Sequence, residues 1–143
     1  MRLEEEVFLA APPAVVWDVV ADPCRIGRLG ERFIVDELEP DTTAGVGARY
    51  RVLLQVGAVP VGGNVEIVEH TPCREMSWTT VTGVDHRLRL RLREHDGGTR
   101  LVLRFAYDSP GLLGTVADVA AYLPVRRALR ELLERISEQV AAR

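Results

Sequence analysis

The segment His86-Arg87-Leu88-Arg89-Leu90-Arg91-Leu92-Arg93 is the strongest constraint on what this chain can fold into. Successive side chains of an extended strand point to opposite faces, so the leucines share one face and the arginines the other. A helix would scatter both sets around its axis. The segment therefore reads as a strand with one buried and one wet face. A slip of one residue would bury the arginines, which fixes its register. His86 shares the leucine face.

The strand that follows, Thr99 to Tyr107, carries Leu101, Leu103, Phe105 and Tyr107 on one face. Arg100 and Arg104 lie opposite, with Val102 and Ala106. Asp96-Gly97 joins the two strands and is a strong hairpin signal, because both central positions of that turn need positive φ. Turn signals recur about every 12 residues upstream: Pro40-Asp41, Gly57, Thr71-Pro72 and Thr82-Gly83. The runs between them have strand character: Phe33 to Leu38, Ala48 to Val56, Val61 to Glu69, Glu75 to Val81 and Asp85 to Glu94. Regular short strands with tight turns predict an antiparallel meander.

The two ends differ from this middle. Leu3 to Leu9 reads as a first strand. Pro12-Pro13 and then Asp22-Pro23 each mark a helix start, since proline at the first helical position loses no hydrogen bond. Two short helices are predicted, Ala14 to Val20 and one ending near Gly30. After Ser109-Pro110-Gly111, apolar residues recur at helical spacing from Leu112 and Leu113 through Val116, Val119 and Leu123 to Val140. Pro124 falls inside this helix and predicts a kink or break. The order is one strand, two short helices, six antiparallel strands and a long amphipathic helix. These elements bury one another if the sheet curls around the helix. The expected class is α+β: a helix-grip domain over residues 1–143, with a seven-stranded antiparallel sheet curved around a long C-terminal helix. A curved sheet gripping a helix tends to leave a pocket between them.

Composition narrows the function classes. The chain has 143 residues, 47% of them hydrophobic, enough for one core without metal or disulfide staples. Its 18 basic residues are all arginine, and its net charge is −3. No lysine is present for a Schiff base or a phosphate loop. The acidic balance argues against nucleic acid. No apolar run reaches the roughly 18 residues of a membrane span, and the acidic start, Met1-Arg2-Leu3-Glu4-Glu5-Glu6, lacks a signal-peptide core. A cytoplasmic protein without membrane insertion is expected. Cys24, Cys73, His70 and His95 form no metal spacing, Ser77, Ser109 and Ser137 sit in no nucleophile elbow, and Gly62-Gly63 is too little for a phosphate loop. No metal or cofactor is expected.

Several phrases resemble the START-like superfamily, also called SRPBCC, which holds polyketide cyclase/dehydrase and lipid-transport proteins. They are Glu6-Val7-Phe8-Leu9-Ala10-Ala11-Pro12-Pro13 running into Val16-Trp17-Asp18-Val19, then Asp22-Pro23 at the second helix. Gly97-Gly98-Thr99-Arg100-Leu101 resembles the group's "GGT" hairpin. Tyr107-Asp108-Ser109-Pro110-Gly111 resembles its exit into the last helix. The resemblance covers the whole chain. It implies a hydrophobic-ligand cavity between sheet and C-terminal helix, and no shared catalytic motif.

Within that frame the expected ligand-binding residues are Tyr50, Val52, Leu54, Trp78, His86, Leu88, Leu90, Leu103, Phe105, Tyr107, Val116 and Leu123. His86 is the acid/base candidate, because imidazole titrates near neutrality; the plainer alternative is a satisfied histidine at a strand end. Trp78 alternates with Met76 and Thr80 and is either core or a pocket-lining indole donor. Trp17 is core or rim. Tyr50 and Tyr107 each bring a hydroxyl to the inner face. Arg49 and Arg51 face outward by parity, unless a bulge at Gly47 turns Arg51 inward as an anion site. Arg87, Arg89, Arg91 and Arg93 read as a solvated outer face rather than an anionic dock. The helix stripe is core that also floors the pocket.

Three functions fit. The first is a binder of a small hydrophobic ligand: a lipid, polyketide or aromatic metabolite. The alternative is a cyclase, aromatase or dehydrase using the same cavity; the inner strands lack an Asp/His or Glu/Arg pair for it. The third is an interaction module, since some members of the superfamily look like ribosome-associated toxins or co-chaperones. Either a monomer or a homodimer is expected, with Leu3 to Leu9 as an edge strand able to pair.

Overall fold

The computed structural model describes residues 1–30, 32–38, 45–56, 58–108 and 114–143, without the side chains of residues 56, 59 and 114–118. Strand β1 (Arg2–Leu9) is followed by helices α1 (Pro13–Val20) and α2 (Pro23–Leu29). Six strands follow: β2 (Phe33–Glu37), β3 (Arg49–Val56), β4 (Val59–Thr71), β5 (Glu75–Gly83), β6 (Asp85–His95) and β7 (Gly98–Asp108). Helix α3 (Gly114–Ala141) ends the chain. The sheet order is β1-β7-β6-β5-β4-β3-β2 with all pairs antiparallel, so it curves as a half-barrel and grips α3.

Local chemistry explains the elements. Both helix starts place proline in the first turn, and the Asp22 side chain accepts from the Cys24 N–H at 2.9 Å. Asp96 and Gly97 both have positive φ, 47° and 79°, as their hairpin requires. Two bulges bend the sheet. Val68 falls between the pairs Ile67–Trp78 and Glu69–Ser77, and Val81 between Val65–Thr80 and Asn64–Thr82. Near the second bulge three backbones pass very close: a Cβ on Gly62 would sit 2.0 Å from the Val52 carbonyl oxygen, and one on Gly63 2.0 Å from that of Thr82. Only glycine permits this approach.

The alternation of β6 appears as drawn from its sequence. Leu88, Leu90 and Leu92 are buried, and the arginines face outward. Arg89 stands directly across from Arg104, and Arg93 from Arg100. Glutamates offset this repulsion: Glu75 pairs with Arg89 at 2.5 Å, Glu6 with Arg100 at 2.5 Å and Glu4 with Arg104 at 3.5 Å. Partly exposed pairs of this kind each contribute up to about 1 kcal/mol, so the face is chiefly a solvated surface. Arg49 and Arg51 also face outward, paired with Glu66 and Asp36. Gly47 has φ 93°, yet the parity of β3 is unchanged.

Of the kink or break expected at Pro124, the break does not occur: α3 is one continuous helix through it. The lost hydrogen bond would have used the carbonyl of Ala120, an exposed position where water can replace it. On the C-terminal side Val125, Ala128, Leu129, Leu132, Leu133, Ile136 and Val140 are all buried. Burying such a side chain contributes about 1.5–3 kcal/mol, so this face outweighs a proline cost of about 3 kcal/mol. Arg126 and Arg130 of α3 both reach Glu5 of β1, at 2.9 and 3.2 Å, tying the helix to that sheet edge. The turn residues Pro40, Asp41, Gly57, Ser109, Pro110 and Gly111, and Leu112 and Leu113, lie outside the described residues.

Candidate functional site

The inner face of the sheet is not equally filled along its length. On β6 and β7 the inward pairs run His86–Tyr107, Leu88–Phe105, Leu90–Leu103 and Leu92–Leu101. The leucines of this end are buried in one core cluster with Leu129, Leu132, Leu133 and Ile136 of α3. At the His86–Tyr107 end the helix offers Ala120, Ala121 and Val125 instead. Small side chains there leave a cavity of about 390 Å³ between sheet and helix. Its other walls are Phe33 of β2, Val52 and Leu54 of β3, and Val61 and Gly62 of β4. Trp78, Val84, His86, Phe105 and Tyr107 complete it. None of these lining residues is an arginine, aspartate or glutamate.

The polar groups of the cavity form one cluster. Trp78 and His86 sit on neighbouring strands, and Trp78 Nε1–H donates to His86 Nε2 at 3.3 Å. An indole N–H can only donate, so Nε2 carries the lone pair. His86 Nδ1 therefore bears the proton and lies 2.9 Å from the Val84 carbonyl oxygen, which can only accept. Thr80 Oγ1 stands 2.9 Å from the same Nδ1. That hydroxyl also accepts from the His86 backbone N–H at 2.8 Å. It reaches the carbonyls of His86 and Val84 at 2.9 and 3.0 Å. β5 and β6 stop pairing at Thr79–Arg87, so the Thr80 side chain closes the ladder where backbone bonds end. Burial is the main influence on the His86 pKa and pushes it below the ordinary value of 6.5; the bond to Val84 and the charge of Asp85 oppose this weakly. His86 is thus held neutral, in one tautomer. Its ring lies 5.6 Å from that of Phe105, which lies 5.8 Å from that of Tyr107. The Tyr107 hydroxyl donates to Met1 Sδ at 3.2 Å.

Residues 1–141 match the family described as polyketide cyclase / dehydrase and lipid transport. The chain belongs to this family. Among solved structures it is similar to TTHA0849 from Thermus thermophilus, with a TM-score of 0.84 and 17% identity, covering 99% of this chain and 98% of that one. It is also similar to the Zhui aromatase/cyclase from Streptomyces sp. R1128, with a TM-score of 0.71 and 21% identity over 98% and 90%. A third likeness is to DR_A0006 from Deinococcus radiodurans, with a TM-score of 0.69 and 18% identity over 97% and 96%. At such identities the likeness carries the fold. No curated protein matches the sequence.

In this family member the structure brings Val52, Leu54, Trp78, His86, Phe105 and Tyr107 together around the cavity. Leu88, Leu90 and Leu103 are buried in the solid part of the core. Tyr50 is buried too, but outside the lining; its hydroxyl pKa is pushed up to about 12 by burial, then by Asp22, Cys24 and Glu37. Leu123 needs a correction. Expected on the inner stripe, it is 65% exposed, as Val119 is at 61%, while Val125 is buried. Among the described residues of α3, Ala120, Ala121 and Val125 line the cavity. Val116 lies within α3, but its side chain is outside those described. Trp17 is core, edge-to-face with His70 at 5.1 Å. Among the described residues no group of three His, Cys, Asp or Glu side chains converges on a metal position, and no helix is long and apolar enough to cross a membrane.

Sequence reasoning missed Phe33, Val61, Gly62, Val84, Ala120, Ala121 and Val125. Phe33 faces Leu54 across β2 and β3, so the pairing would have found it. Ala120-Ala121 was legible as a small step in an otherwise leucine-rich helix. Val84 sits in a turn and had no periodic signal.

Proposed function

We propose that this protein binds one small hydrophobic molecule in the cavity between the sheet and α3. The observation that carries this reading is the cavity itself: about 390 Å³, walled by aliphatic and aromatic side chains, with no carboxylate or guanidinium among the described residues that line it. That volume falls at the lower end of the range for small-molecule sites, roughly 300–1,000 Å³. The family description, which joins cyclase/dehydrase and lipid transport, supports a ligand of this class.

Binding is favoured over a cyclase-type reaction by the state of the polar groups. Proton transfer needs a group free to take or give a proton near neutrality. Burial disfavours protonation of His86, and the Val84 carbonyl holds its one proton on Nδ1. Of the two tyrosines that could serve beside it, Tyr50 is outside the described lining, and the Tyr107 hydroxyl donates its proton to Met1 Sδ at 3.2 Å. The test is a native mass spectrum of protein purified from its own host, followed by a screen of lipids and aromatic compounds. The reading expects a bound small molecule or a one-to-one binder from the screen. Repeated empty protein together with no binder would overturn it.

A further inference from the structure

Building on the cavity reading, we infer that the ligand is a neutral molecule bearing a hydroxyl group, seated between Trp78 Nε1–H and His86 Nε2. The two groups are a donor and an acceptor on adjacent walls of the same cavity. Their roles are fixed from outside it, because the Val84 carbonyl holds the proton on Nδ1 at 2.9 Å and Thr80 supports the same nitrogen. Their mutual bond is long, 3.3 Å, against a usual 2.9–3.0 Å for N–H donors to oxygen. A hydroxyl both accepts and donates through a single oxygen. Inserted here, it accepts from the indole and donates to the imidazole, replacing one weak bond with two.

Other chemistries fit less well. A ketone or ether accepts from Trp78 but strips His86 Nε2 of its only donor. A carboxylate meets that lone pair directly, and no arginine among the described lining residues offsets its charge. A plain hydrocarbon fills the space and gains nothing at the polar end. The rings of Phe105, beside His86, and of Phe33 and Tyr107 suit a flat aromatic body for the same molecule.

The experiment compares four probes of one shape by calorimetric titration: 2-naphthol, 2-methylnaphthalene, 2-methoxynaphthalene and 2-naphthoate. The expected result is that 2-naphthol binds at least about tenfold more tightly than each of the others, as a site built to hydrogen-bond a hydroxyl rejects analogues lacking it. In Trp78→Phe that advantage should shrink below about threefold. Should Trp78→Phe fail to fold, NMR of the unaltered protein decides. The Trp78 indole N–H and His86 Nε2 resonances should shift with 2-naphthol and stay near their free positions with 2-methylnaphthalene. Equal binding of 2-naphthol and 2-methylnaphthalene, or tighter binding of 2-naphthoate, would overturn the inference and leave the cavity reading standing. Failure of all four probes to bind would overturn the inference alone; the cavity reading falls only if the wider screen and the native mass spectrum also find no ligand.

Discussion

Replacing Thr80 with valine removes one oxygen and keeps the shape. That oxygen accepts from the His86 backbone N–H at 2.8 Å and donates its one proton to the carbonyl of His86 or Val84, at 2.9 or 3.0 Å. Valine strands the N–H at a site where β5 and β6 have already ceased to pair. A stranded buried donor costs about 1–3 kcal/mol. The lost hydroxyl donation adds about 1 kcal/mol, and the half-buried position of Thr80 discounts the sum. Thr80→Val should therefore destabilise the protein by about 2 kcal/mol, and for a domain of this size lower Tm by about 4–8 °C. Urea denaturation measures the first and calorimetry the second. Thr82→Val, at an exposed position on the same strand, is the control and should stay within about 0.5 kcal/mol of the parent. Equal stability of the two variants would refute the role given to the Thr80 hydroxyl, and with it the locked histidine.

Three further outcomes are expected. Gly62→Ala would put a Cβ 2.0 Å from the Val52 carbonyl oxygen, which is backbone and cannot swing aside; circular dichroism melts should show Tm reduced by more than about 8 °C, or no folded protein. Val125→Asp buries an unpaired carboxylate and should cost more than about 3 kcal/mol, whereas Leu123→Asp should cost under about 1 kcal/mol, and similar costs would mean the helix phase is wrong. The His86 pKa is lower folded than unfolded, so between the folded value and 6.5 the unfolded chain holds more protons and stability rises with pH. That contribution is complete above 6.5 and lost as pH falls toward the folded value. Asp85 and Tyr107 are titratable groups beside the ring on its own and the neighbouring strand, and among the described residues its contacts Trp78, Thr80 and Phe105 are uncharged. Urea stability from about pH 5 to about pH 7.5 should climb in the parent and climb less in His86→Gln, with parallel curves contradicting the burial effect.

The sheet was legible because period-two alternation leaves little freedom. Burying Leu88, Leu90 and Leu92 fixes which way His86 points, and the Asp96-Gly97 turn then sets the pairing that brings Tyr107 opposite it. Parity alone also placed Tyr50 inward and Arg51 outward. The site was legible as a face but not as a depth. Nothing in the alternation of β6 says that a cavity opens at its His86 end and not around Leu90; that depends on where α3 lies along the sheet. The same ignorance put Leu123 on the inner stripe. Pro124 misled for a related reason, since the local cost of proline is visible in the sequence while the tertiary packing that offsets it is not. The donor roles at His86 arise from Thr80 and Val84, brought to the ring by a bulge and a turn that no periodic pattern announces.

The central claim is that the space beside Ala121 is a ligand cavity. Ala121→Phe tests it most directly, by filling the void from the helix side while the rest of the sequence stays as it is. The measurement is a calorimetric titration of parent and variant with 2-naphthol, alongside their melting temperatures. The account predicts one-to-one binding to the parent, at least about tenfold weaker binding to Ala121→Phe, and a Tm for the variant within about 3 °C of the parent or above it, because filling a void adds contacts without removing any. Undiminished binding to a folded Ala121→Phe protein would contradict the account.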